Sequence, residues 1–237
     1  MLRSLPLAAL TLLISSSSYA SEWEELFTEE NITVWQREVE GTSFVEFRGR
    51  GIVEEPASRV AAVIRNNERK TEWMHQCAAN FAVEYKGPGH VIVYNRTASP
   101  FFLISDRDVV LDVKGTIVPE KKMLRIAFGN VVHTKVPPFD GVVRMPALHG
   151  FWELVEKGEK KTEVTYQVQA DPGGALPAWL VNMVSKNIPL HTIGNLRKQT
   201  KKPGYEKDEA IVLGTYDWTG FECAKTETSS ASITASR

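Results

Sequence analysis

The strongest constraint on this chain is a succession of short period-two segments joined by turns too brief for any crossover. Residues 45–53 alternate, with Val45, Phe47, Gly49, Gly51 and Val53 on one side and Glu46, Arg48 and Arg50 on the other. That pattern is a half-buried β-strand. Similar runs recur at 32–39, 81–85, 91–97, 107–115, 123–134, 142–155 and 163–170. Turns such as Lys86-Gly87-Pro88-Gly89 and Glu156-Lys157-Gly158-Glu159 separate successive runs. Parallel neighbours need a crossover of roughly a dozen residues or more. The spacing therefore predicts an antiparallel sheet built from hairpins.

Helices are few. The expected order is a short helix, two strands, one or two helices, a run of strands and a closing helix. At residues 56–65, Ala57, Val60, Ala61 and Ile64 recur at helical spacing behind Pro56, and Glu54 and Glu55 favour the N-terminus. A second short helix carries Trp73. After the turn Asp171-Pro172-Gly173-Gly174, residues 177–198 read as a helix with Leu176, Leu180, Met183, Val184, Asn187 and His191 on one face. Pro189 should kink or divide it, because proline lacks the N–H and clashes with the preceding turn. Beyond Pro203 no period is visible, and residues 226–236 are mostly Ser, Thr and Ala. The division expected is a leader at 1–20, a domain at 21–201 and a partly disordered tail at 202–237.

The leader has a positive start at Arg3, an apolar run over residues 5–14, and Ser18 and Ala20 placed as the −3 and −1 residues of a cleavage site. That is the layout of a secretory signal, and the run falls short of the roughly twenty residues of a membrane span. Export would permit a disulfide between Cys77 and Cys223, or leave two separate thiols. Lys plus Arg number 28 against 29 for Asp plus Glu, a balance unlike the basic excess of nucleic-acid binders. The five histidines show no metal-ligand spacing, so neither metal nor cofactor is expected. Ser105-Asp106-Arg107-Asp108 is the densest polar cluster. It is read as a strand-entrance turn whose carboxylates bind backbone N–H groups while Arg107 pairs with one of them.

Several segments together carry a resemblance. Ser105-Asp106-Arg107-Asp108-Val109-Val110, Gly150-Phe151-Trp152-Glu153-Leu154, the stretch from Asp171 to Asn182, and Pro189-Leu190-His191-Thr192 followed by Asn195-Leu196-Arg197-Lys198 resemble the StAR-related lipid-transfer (START) domain. The likeness covers about 22–201. It implies an α+β helix-grip fold, in which a curved antiparallel sheet wraps around a long C-terminal helix and encloses a hydrophobic tunnel for one lipid. Inward strand residues Val109, Leu111, Val113, Ile126 and Phe128, with Arg107, would line the tunnel. The helix would add Leu180, Met183, Val184 and His191. A loop beside the terminal helix acts as a lid in the family, and the matching segment is 135–141, where Val136 and Phe139 would dip into a bilayer. Sterol-binding members carry a buried acid–arginine pair. The matching positions here are Tyr94 and Val113, which favours an acyl-chain lipid over a sterol and leaves Tyr94 a hydroxyl for the headgroup.

The expected protein is thus a monomeric lipid carrier in transient membrane contact, exported to a bacterial periplasm. About sixteen buried methylenes would contribute on the order of 13 kcal/mol before ordering costs. Two other readings use the same cavity: a polyketide cyclase or aromatase, which would need ionisable groups pointing inward, and a lipid-sensing module that docks through the tail.

Overall fold

Alternation becomes strands nearly everywhere it was read. The computed structural model describes residues 21–222; the expected leader, Cys223 and residues 226–236 lie outside them. Ten strands form one sheet: β1 (Glu24–Glu29), β2 (Ile32–Arg37), β3 (Glu46–Val53), β4 (Cys77–Gly87), β5 (His90–Thr97), β6 (Arg107–Val118), β7 (Met123–Asn130), β8 (Val143–Arg144), β9 (Ala147–Gly158) and β10 (Lys161–Asp171). Their order is β1-β2-β3-β10-β9-β7-β6-β5-β4, antiparallel throughout, while β8 pairs in parallel with the start of β6. The sheet thus closes its chain path by pairing the early β3 with the late β10, from Thr162 opposite Val53 to Gln169 opposite Glu46.

Two elements differ from the sequence reading. The first element is the strand β1, not a short helix. Its residues EELFTE are mostly exposed, so no alternation marks it. The expected strand at 142–155 is split, because Pro146 has no N–H to give a ladder and separates β8 from β9.

Helix α1 (Ala57–Arg65) packs on the sheet through Val60, Ala61 and Ile64. The terminal helix is divided as Pro189 foretold, into α2 (Ala178–Ser185) and α3 (Ile188–Gln199), with the proline in the first turn of α3. Contact of α3 with β3 requires Gly49, since a Cβ there would stand 2.6 Å from the Cβ of Pro189. Arg197 ties the far end of α3 to the strands, donating to the carbonyls of Ile52 at 2.7 Å and Glu30 at 2.6 Å.

The chain after residue 201 is no loose appendage over its described part. Helix α4 (Glu206–Thr215) lies against α1, where Ser58 Oγ donates to Glu209 Oε1 at 2.7 Å and Asn66 Nδ2 to Asp208 Oδ2 at 2.7 Å. Tyr205, Trp218 and Phe221 are buried in the main core with Trp73, Leu154 and Leu196. The domain therefore runs past the expected boundary to at least Phe221. Burial of three irregularly spaced aromatic residues, each a large apolar surface, holds it there without any period to reveal it.

Candidate lipid-binding cavity

Strand pleating gives the sheet two faces, and the concave one does not meet the helices everywhere. Residues of odd number on β5 and β6 (Val93, Asn95, Arg107, Leu111, Val113) face inward with Ile126 and Phe128 of β7, Trp152 of β9, and Tyr166 and Val168 of β10. Leu180, Val184, Ile188 and Thr192 of α2 and α3 close the opposite side. Between them lies a cavity of about 240 Å3, measured as space open to the centre of a water molecule. One water needs roughly 10–15 Å3 on that measure. Trp152 stacks on Tyr166 at 4.1 Å, and Trp73 meets Trp152 edge-on at 6.1 Å. Burial pushes the Tyr166 hydroxyl up, so it stays a neutral phenol.

The mouth lies where β5 hands over to β6. Residues 98–106 cross it, with Phe101 and Ile104 turned to the cavity while Phe102 is 101% and Leu103 90% exposed. On α2, whose Leu180 and Val184 line the cavity, Trp179 is 67% exposed and Met183 49%. A run of large apolar side chains held in water beside an apolar cavity marks a contact surface.

Of the residues picked from sequence, Arg107, Leu111, Val113, Ile126, Phe128, Leu180 and Val184 line the cavity. Val109 is buried on the inward side of β6 but lies outside the lining. The others point elsewhere. Tyr94 pairs with Val110, not with Val113, which sits opposite Val91. Being even-numbered on β5, Tyr94 belongs to the outer face, in a separate cluster with Ile92, Val110 and Val136. Desolvation and neighbouring Asp108 push its hydroxyl up to about 12. Val136 is 4% exposed in that cluster and Phe139 packs edge-on against Tyr94 at 5.4 Å. The loop 135–141 therefore covers the back of the sheet, and none of its residues lines the cavity. Met183 and His191 face outward, the latter against His75 at 4.7 Å between ring centroids. One residue's step around the helix, about 100°, accounts for the miss: Thr192, not His191, reaches the wall.

Arg107 also departs from its expected pairing. Its guanidinium donates to the carbonyls of Ser105 and Pro172. The carboxylates beside it are taken by others, Asp106 by Arg96 at 2.7 Å and the Ser99 N–H at 3.0 Å, and Asp108 by Arg144 at 2.7 Å.

Sequence reasoning passed over one more group. Lys70, in the 3-10 turn Lys70–Glu72, is buried on the cavity wall, donates to the carbonyl of Ile64 and lies 5.1 Å from the Trp73 ring centroid. Desolvation lowers its pKa from 10.5 to about 8. No period marks such a turn. The mouth loop did leave a signal, since Phe101-Phe102-Leu103-Ile104 is an apolar run in a segment where strand alternation has stopped.

A family model described as START domain matches residues 9–203. An uncharacterized protein of Pseudomonas aeruginosa is 29% identical over 201 residues, covering 85% of this chain and 98% of that protein. The phosphatidylcholine transfer protein of Rattus norvegicus is 25% identical over 175 residues, covering 70% of this chain and 78% of that one. Among solved structures, a STAR-related lipid transfer protein fragment from Xanthomonas axonopodis superposes with a TM-score of 0.70 at 29% identity, covering 76% of this chain and 99% of that one.

Proposed function

We propose, from the premise that the chain belongs to the START domain family, that it carries one lipid in its cavity and exchanges it at membranes through the mouth. The observation that carries this reading is that Phe102 and Leu103 stand exposed in the same loop whose Phe101 and Ile104 line an apolar cavity, as Trp179 stands exposed next to Leu180 of its wall. An amphiphile leaving a bilayer there would pass from acyl chains to apolar side chains without crossing bulk water. Each methylene buried is worth about 0.8 kcal/mol. The likeness to a phosphatidylcholine transfer protein supports a lipid as cargo, and the secretory pattern of residues 1–20 supports a carrier that works beyond the cytoplasm.

Transfer of a fluorescent lipid between vesicles tests the route. Phe102→Asp with Leu103→Asp should slow transfer about tenfold or more with an unchanged thermal midpoint. Phe139→Asp, on the outer face, should leave the rate as it is. Slowing by Phe139→Asp alone would return the gate to the loop at 135–141 and overturn the route.

A further inference from the structure

Polar groups gather on one part of the cavity wall. Register sets Cys77 of β4 opposite Thr97 of β5, and Thr97 opposite Arg107 of β6. Two strand spacings separate the outer pair, about 10 Å. Lys70 stands near Cys77, close enough for the charge of one to act on the other. Lys70 and Arg107 thus flank the same stretch of wall, 7% and 9% exposed.

No carboxylate of the described residues bonds to either cation. Among the described residues that line the cavity, none is Asp or Glu. The charge of Asp208 reaches Lys70 and that of Asp106 reaches Arg107. Asp208 is held by Arg65 and Asn66, however, and Asp106 by Arg96 and the Ser99 N–H. Lys70 and Arg107 spend hydrogen bonds on neutral carbonyls, of Ile64, Ser105 and Pro172. Two further polar atoms of wall residues, Trp73 Nε1 and Thr192 Oγ1, find no partner among the described residues. A buried cation whose neighbouring carboxylates are bonded elsewhere is only partly compensated, and an orphaned donor adds to that. An acceptor-rich anion entering the cavity relieves both.

Resting on the carrier reading above, we propose that the cargo is an anionic amphiphile whose carboxylate or phosphate lies between Lys70 and Arg107, with its acyl chain along Leu111, Ile126 and Phe128. A quaternary ammonium has no such place. The lining offers it no carboxylate, the Trp73 ring is occupied by Lys70 at 5.1 Å, and Trp152 stacks on Tyr166 at 4.1 Å.

The test uses the full chain, incubated with vesicles that hold equal parts of phosphatidylcholine, phosphatidylglycerol and phosphatidate, and separately with oleate. Bound lipid is read by native mass spectrometry. Anionic lipid should load about tenfold over phosphatidylcholine. Lys70→Met and Arg107→Met should each reduce that preference about tenfold, and Arg107→Lys should keep most of it. Preference for oleate identifies a carboxylate, and preference for phosphatidate a phosphate. Equal loading of phosphatidylcholine overturns the anionic assignment while leaving the carrier intact, as does a preference unmoved by the substitutions. No lipid in any arm overturns the carrier itself. Selectivity of the unaltered chain decides the matter even where a variant fails to fold.

Discussion

The two faces of the sheet treat charge in opposite ways. On the outer face, buried charges are matched across strands. Asp108 receives Arg144 through two bonds of 2.7 and 3.1 Å, and Glu46 receives Arg37 at 2.6 Å and Gln167 at 2.5 Å. On the inner face, Lys70 and Arg107 meet carbonyls only. The outer face is finished by the protein's own side chains, and apolar residues fill the rest, Ile92, Tyr94, Val110 and Val136 closing against each other. The inner face keeps both unfilled space and cations that no carboxylate among the described residues bonds. Stability alone accounts for the first arrangement. The second costs stability, and the carrier proposed above supplies a reason to keep it, since a domain that needed only to fold gains by pairing or removing those charges.

Breaking an outer pair should have the largest consequence. Arg144→Ala leaves the Asp108 carboxylate buried, its side chain 0% exposed, without the guanidinium that bonds it twice. Removal of one partner from a buried pair costs about 3–5 kcal/mol, readable by urea denaturation. A loss under about 1 kcal/mol would mean that the outer face is no better matched than the inner one.

The inner face should respond to pH in the opposite sense from a stabilising ion pair. Lys70 titrates at about 8 in the fold, against an ordinary 10.5. Below about 8 both folded and unfolded chains hold the proton, and the burial cost is present in full. Between 8 and 10.5 the unfolded chain holds a proton that the folded chain has released, so stability rises with pH over that window. Relative to Lys70→Met, the unaltered chain free of lipid should therefore gain up to about 3 kcal/mol between pH 7 and pH 10.5, at 1.36 kcal/mol per pKa unit. A gap constant with pH would show that Lys70 has a counter-charge after all.

The same two faces explain how far the sequence could be read. Alternation reveals which residues share a face, and so β3, β6, β7 and β10 and much of the cavity wall were legible in it. It says nothing about which strand pairs with which residue. Tyr94 was set beside Val113, yet the register places it opposite Val110. A parity error of this kind moves a side chain through the sheet, which is how Tyr94 came to be expected at a headgroup it stands behind; Val136 and Phe139, expected as a lid from the family's loop, pack on that same outer face. Elements without a period were harder still. Lys70 sits in a 3-10 turn, and Tyr205, Trp218 and Phe221 enter the core from irregular segments, so tertiary packing alone brings them to their places.

Two adjacent residues sharpen the contrast most economically. Val110 and Leu111 follow one another on β6 and point to opposite faces. Val110 is 0% exposed within the closed outer cluster, whereas Leu111 borders the cavity. Val110→Trp must force its ring into packed neighbours, and overpacking of that kind costs about 1–3 kcal/mol. Leu111→Trp enters existing space, so its unfolding free energy should stay within about 1 kcal/mol of the original, as expected when added volume meets a void. Its bound lipid should nonetheless fall from one per chain toward none, because the indole takes the room that an acyl chain would fill. If Leu111→Trp instead destabilises as much as Val110→Trp, the inner face is packed like the outer and the cavity holds no cargo.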